Sequence, residues 1–192
     1  MAKFLTFSGS ARNDSFNQKT VLCIGNELHK HGAIVTNIKL GEFQAPLYHG
    51  DEEETNGLPE ATVRFKSLLD DSDALVISCP EYNGFMTPLL LNTIDWATRS
   101  SDASVDLSGF RGKPVLVTSS SPGPGGGSRA AVHLKTLLAG IGCFVSPDSF
   151  MVPSGFAAFD ESGQLVDEGL KKRAIQVAQQ FNDFTNRLIK DS

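Results

Sequence analysis

The stretch FLTFSGSARNDSFN, residues 4–17, decides the fold. Residues 4–7 form an apolar run fit for a buried strand, and the run stops by Gly9, where the chain must turn. Polar residues 9–17 then lead into a segment of helical period over residues 16–30, with Val21, Leu22, Gly25 and Leu28 as its expected buried stripe and Gly32 as its stop. A buried strand, a polar loop and an amphipathic helix in that order make one unit of a parallel sheet covered by helices.

The unit recurs outward from there. Residues 34–38, mostly β-branched, read as the second strand, and residues 40–57 as a long polar excursion whose acidic run at 51–54 is a solvated loop. Pro59 sits near the start of a helix expected to bury Val63, Leu68 and Leu69. Residues 74–78 are the third strand, followed by a helix over 87–98 that begins with Pro88. Residues 114–119 are the fourth strand, running into six glycines and prolines within 122–127 and a helix over 129–138. The fifth strand lies in 143–152, and Pro147 and Pro153 place it at a sheet edge, because proline cannot complete a central ladder. Residues 154–167 leave room for a small extra strand pair, and 170–188 form the last helix. Five strands with covering helices predict a three-layer α/β sandwich over residues 1–192 as one domain. Its function is expected at the carboxyl ends of strands 1, 3 and 4.

Composition narrows the partners. The 192 residues carry 17 basic and 22 acidic side chains, a formal net charge of -5, so no long-range field draws in nucleic acid. Cys23, Cys79 and Cys143 are too few and too spread for a disulfide scaffold and suit a reducing compartment. The opening MAKFLTFSGS turns polar after one short apolar run, and no stretch approaches the 18 or so apolar residues a membrane span needs, so a cytoplasmic place is the expectation. His29, His31, His49 and His133 lack metal-ligand spacing, so no metal site is expected.

Chemistry concentrates in three loops. In the first, Ser10, Arg12 and Ser15 meet a helix N-terminus, a set suited to phosphate; the alternative is that Asp14 or Ser15 is only an N-cap and Arg12 a surface residue. Neither GxxxxGK[ST] nor GxGxxG is present there. In the second, Pro80, Glu81, Tyr82, Asn83 and Gly84 follow a buried strand, a loop able to border a planar heterocycle or merely to cap local amides. Glu81 is expected to order the loop or a subunit contact rather than act as a base, and Cys79 has no histidine nearby to activate it. The third loop, TSSSPGPGGGSR at 118–129, can expose amides to a flat ligand or be a flexible turn, with Arg129 facing solvent.

The motifs Gly9-Ser10-x-Arg12-x-x-Ser15-x-Asn17, Pro80-Glu81-Tyr82-Asn83-Gly84 and Gly126-Gly127-x-Arg129-Ala130, with NTIDW at 92–96, resemble the NADPH-dependent FMN reductase family, relatives of chromate, quinone and azo-dye reductases. The resemblance runs over about residues 3–189 and implies a flavodoxin-like fold with strand order 2-1-3-4-5. It also implies noncovalent FMN with NADPH or NADH as hydride donor, and a flavin, quinone, azo or metal-oxyanion electron acceptor. By resemblance, Ser10, Arg12, Ser15, Phe16 and Asn17 surround the FMN phosphate, residues 80–84 border the ring, and Ser119, Gly123 and Gly126 are contacts from the third loop. No side chain acts as nucleophile, and a homodimer or homotetramer is implied. Leu91 stands where the family often has lysine, so a pair contact through that lysine is not expected. The alternative function is a flavodoxin-like electron carrier or a noncatalytic FMN-binding regulator.

Overall fold

The computed structural model describes residues 1–190. In chain order the elements are β1 (Lys3–Ser8), α1 (Phe16–Lys30), β2 (Ile34–Lys39), a 3₁₀ turn (Leu40–Phe43), α2 (Gly50–Asn56), α3 (Glu60–Asp70), β3 (Ala74–Ser78), β4 (Glu81–Tyr82), β5 (Phe85–Met86), α4 (Pro88–Ala97), β6 (Pro114–Ser120), α5 (Ser128–Gly140), β7 (Phe144–Val152), α6 (Gly155–Ala158) and α7 (Glu168–Lys190). The main sheet is parallel throughout, in the order β2-β1-β3-β6-β7. This is the flavodoxin-like order 2-1-3-4-5 once the short β4-β5 hairpin is set aside. The order reverses between β1 and β3, which opens a crevice at their carboxyl ends.

The period of two along each strand divides the core. Leu5, Phe7, Leu75, Ile77, Val115 and Val117 pack under α3, α4 and α5 against Phe65, Leu90, Ile94 and Leu134. Phe4, Ala74, Val76 and Leu116 pack on the other face against Val21, Ile24 and Leu28 of α1 and Val177 and Phe181 of α7. Every residue of β3 and β6 is buried, as central parallel strands require. Each large apolar side chain so enclosed stabilises the fold by about 2 kcal/mol.

The edge strand β7 carries its proline at a break in register: Val115 pairs with Val145 but Val117 with Ser149, leaving Pro147 in the bulge. Lys135 donates to the carbonyls of Ser146, Pro147 and Asp148 (2.9–3.1 Å), which satisfies the acceptors the bulge frees.

Three expectations are corrected. The acidic run is not a solvated loop: residues 51–54 lie in α2, and Glu53 is buried. Leu22 and Val63 are 40 % and 51 % exposed, because the inward phase of α1 runs through Val21, Ile24, Gly25 and Leu28 and that of α3 through Thr62, Phe65 and Leu69. Between β7 and α7 the chain forms the single turn α6 and one isolated Phe159–Leu165 bridge instead of a strand pair. Among the described residues no helix is long and apolar enough to cross a membrane.

Candidate active site at the carboxyl ends of the central strands

Short hydrogen bonds lock three strand ends into one frame. Gly9 N donates to Ser78 O (2.9 Å), Cys79 N to Thr118 O (2.8 Å), and Ser119 Oγ to Cys79 O (2.6 Å). Thr87, the N-cap of α4, also donates its hydroxyl to Gly9 O at 2.6 Å. A Cβ on Gly9 would lie 2.8 Å from Leu90 Cβ, so glycine is what lets the first loop touch α4. Asn17 completes the frame from within α1: its Nδ2 donates to Ser120 O (2.8 Å), and its Oδ1 accepts from Ser78 Oγ (2.9 Å) and Ser120 N (3.0 Å). Its side chain is thereby a clamp between a helix and two strands, with one N–H left over.

The first loop holds the donors. Ser15 is the N-cap of α1, accepting from Gln18 N at 3.2 Å while its own proton stays available, and the first turn of the helix leaves further amides unpaired. Ser10 Oγ accepts from Arg12 N at 3.3 Å, which tightens the loop. Arg12 is exposed and has no ion-pair partner among the described residues, since nearby Asp14 pairs with Lys19 at 2.5 Å. Phe16 packs into α6 instead, its ring edge-on to Phe156 at 4.9 Å and stacked on Phe159 at 6.4 Å. Gly155 leaves it that room, for a Cβ there would stand 2.6 Å from the ring.

The second loop is a hairpin, β4 paired with β5, turning on Asn83 (φ 54°) and Gly84 (φ 83°). Two successive positive φ values are the signature of the tight turn that Asn-Gly favours, and this dipeptide was the signal for a hairpin that the loop reading passed over. Tyr82 and Phe85 flank the turn as exposed rings, Phe85 lying 4.7 Å from the His133 ring of α5. Glu81 at the hairpin's base accepts from Arg129 Nε (3.0 Å), from Arg129 Nη2 and weakly from Ala130 N (3.4 Å). Burial alone would raise its pKa; the guanidinium and the Ala130 N–H outweigh that and hold the carboxyl below its ordinary range. A carboxylate so committed orders two loops and is no base, and Arg129, though exposed to solvent as one reading of the third loop had it, is its partner.

The third loop closes against the same frame. Ser119 is wholly buried behind it. Gly123 O accepts from Gly126 N (3.3 Å) and Ser154 N (3.2 Å), and Gly126 and Gly127 both hold positive φ. A Cβ on Gly127 would collide with Ser119 Oγ, so the glycine pair is what packs this turn onto the strand ends and starts α5.

A cavity of about 820 Å³ lies elsewhere, between α1, α7 and residues 161–165. Two of its lysines are already paired, Lys19 with Asp14 and Lys30 with Glu27, and no strand-end residue lines it. The donor chemistry sits at the strand ends. Unpaired amides, hydroxyls and a guanidinium at a helix N-terminus fit a phosphate ester, and an exposed hairpin with aromatic sides fits the edge of a flat heterocycle. A nucleophilic mechanism has no support: burial first, then the nearby Glu81 charge, pushes the Cys79 thiol up to about 12.

Residues 2–157 match the sequence profile of the NADPH-dependent FMN reductase family. The chain is 33 % identical over 189 residues to an NAD(P)H-dependent FMN reductase of Pseudomonas aeruginosa, covering 97 % of this chain and 96 % of the relative. It is 29 % identical over 188 residues to a quinone reductase of Escherichia coli K12, covering 96 % and 95 %. Among solved structures it superposes on the flavoenzyme NAD(P)H:(acceptor) oxidoreductase FerB of Paracoccus denitrificans with a TM-score of 0.80 at 27 % identity, covering 97 % and 98 %. The chain belongs to the NADPH-dependent FMN reductase family.

Proposed function

We propose that the chain works as one FMN-binding unit that oxidises NADPH or NADH and reduces a small acceptor, a flavin, quinone, azo compound or metal oxyanion. The observation that carries this reading is Arg12, without an ion-pair partner among the described residues, in the loop just before α1 that Gly9 and Asn17 join to the loops after β3 and β6. Ser10, Arg12 and Ser15 hold the phosphate, with the helix dipole adding to the attraction. Asn17 acts mainly by fixing where α1 begins relative to β3 and β6, and Phe16 by bracing that turn on α6. Pro80, Glu81, Tyr82, Asn83 and Gly84 border the ring: Glu81 sets the hairpin angle, Tyr82 packs as a positioning ring, and the Asn83-Gly84 backbone meets the polar rim. Ser119, Gly123 and Gly126 shape the opposite wall. When bound, FMN supplies the redox chemistry, accepting hydride from the reduced nicotinamide and passing electrons onward.

The exposed Tyr82, Phe85 and Val132, on the hairpin and the adjoining α5, form the surface through which we propose that two or four copies associate. The test is anaerobic: protein purified with FMN is mixed with NADPH or NADH, and the flavin absorbance is expected to bleach without any acceptor. Bound FMN that neither nicotinamide bleaches would leave an electron carrier or a regulator as the function.

A further inference from the structure

Helix α5 holds the hairpin at two rungs. In its first turn Arg129 donates to Glu81 on β4, and one turn later the His133 ring lies 4.7 Å from the Phe85 ring on β5, tilted by 48°. Positions four apart share a helix face, so one stripe of α5 meets both strands of the hairpin. The turn itself lies against the first rung, for a Cβ on Gly84 would stand 3.6 Å from Arg129 Cζ. The rungs differ in kind. Glu81, held below its ordinary range, keeps the first one charged through neutral pH. The imidazole of His133 is exposed and takes part in no hydrogen bond or ion pair among the described residues, so the Phe85 ring is its one specific contact.

Histidine is the side chain that changes charge between about pH 5 and 8. A protonated imidazole beside an aromatic ring gains a cation–ring attraction that the neutral one lacks. The surrounding charges leave that gain standing. Arg129 opposes a second cation one turn on, but Glu81 already offsets Arg129 at the first rung. The remaining titratable group of the hairpin is the Tyr82 phenol; β6 carries none, and Asp148 of β7 is taken by Arg173 at 2.8 Å.

We propose that His133 is a positioning residue for flavin reduction, holding the second strand of the hairpin through Phe85 and holding it more firmly when protonated. The inference rests on the oxidoreductase reading above. The path to the flavin is short: Phe85 pairs with Tyr82 across the hairpin, and side chains so opposed interact, so a firmer Phe85 is a firmer Tyr82. His133 acts through these rings and on no reacting atom.

The experiment follows anaerobic bleaching of FMN-loaded protein by NADPH in stopped flow between about pH 8 and pH 6, in wild type, His133→Gln and His133→Arg. Glutamine removes both ring and charge, and arginine keeps a cation at every pH. Flavin and nicotinamide are common to the three proteins, so each limiting rate is divided by that of His133→Gln at the same pH. The wild-type ratio is expected to rise about two- to fivefold from pH 8 to pH 6, the size of one exposed cation–ring contact, and the His133→Arg ratio to stand at the higher level throughout. The NADPH concentration at half the limiting rate should be the same in all three, because alignment changes and affinity does not. A flat wild-type ratio overturns the proposal, as does an arginine variant no faster than the glutamine one. A variant that shifts only the half-saturating concentration overturns it too, by giving His133 to the nicotinamide. Phe85 also belongs to the surface proposed for association, so sedimentation is run at both ends of the pH range. A rate change that follows a change in association state assigns His133 to that interface and overturns the positioning role. If neither NADPH nor NADH bleaches the flavin of any of the three, the oxidoreductase reading fails instead. Amide hydrogen exchange at residues 82–85, compared between wild type and His133→Gln at each pH, then still decides whether His133 holds the hairpin.

Discussion

The loop after β1 and the excursion after β2 meet at the same end of the sheet, with Gly41 close against Ala11, and the arginine within the first and the arginine that reaches the second from beyond α4 are held in opposite ways. Arg12 lies exposed, with no ion-pair partner among the described residues. Arg99, at the end of α4, is four-fifths buried and donates from Nε to both oxygens of Glu53, at 2.8 and 3.0 Å, while Tyr48 donates its hydroxyl to the same carboxylate at 2.9 Å. The backbone of the excursion is gripped beside this ion pair: Asn92 accepts from Tyr48 N (2.7 Å) and Trp96 donates to Pro46 O (2.8 Å). An arginine whose charge is matched inside the chain is architecture. One whose charge is unmatched, in the loop before a helix N-terminus, is the one we propose holds a ligand.

The sharpest way to break that contrast is Glu53→Ala. It strands the Arg99 guanidinium in a largely enclosed site, and denaturant unfolding should show a loss of about 3 kcal/mol. The pH dependence carries a sign. Hydrogen bonding from Arg99 holds Glu53 below its ordinary 4.5 against the opposing effect of burial. A depressed carboxyl stabilises the fold above about pH 4.5 and loses that contribution as pH falls through its folded value, so the gap between wild type and variant should be widest above pH 4.5 and narrow below it.

Arg12→Ala should do the reverse. Unfolding of the FMN-free protein is expected to change by less than about 0.5 kcal/mol, the range of ordinary surface substitutions. FMN binding, followed by flavin fluorescence, should weaken about 10- to 100-fold, with riboflavin binding unchanged. Equal losses for the two flavins would mean that Arg12 is structural after all. The smallest effect belongs to Glu54→Gln, the exposed neighbour of Glu53, where thermal unfolding should register no more than about 0.5 kcal/mol. A larger loss would show that the run acts as a block of charge and not through its single buried member.

Legibility followed the range of the forces involved. The five main strands were readable because burial on both faces imposes apolar runs, and the edge position of β7 because proline cannot donate. The three loops were readable because their residue types are costly to place after a buried strand without a use. The phase of a helix was readable only to within a residue, which is how Leu22 and Val63 were placed inward: one position turns a side chain by about 100°. The hairpin at Asn83-Gly84 was within reach and passed over.

What the sequence determined by itself, then, was the layered α/β architecture, the family resemblance and the three strand ends at which we propose the chemistry, all of which rest on local patterns of polarity and backbone freedom. Tertiary structure alone decided that Glu53 is buried on Arg99, 46 residues away, that Glu81 is held by Arg129, 48 away, and that the amide of Asn17 spans two strand ends. A charged or amide side chain reads the same in a sequence whether it faces water or a partner. Only the packing of distant segments supplies the partner, and with it the difference between a solvated charge, a structural clamp and a group left open for a ligand.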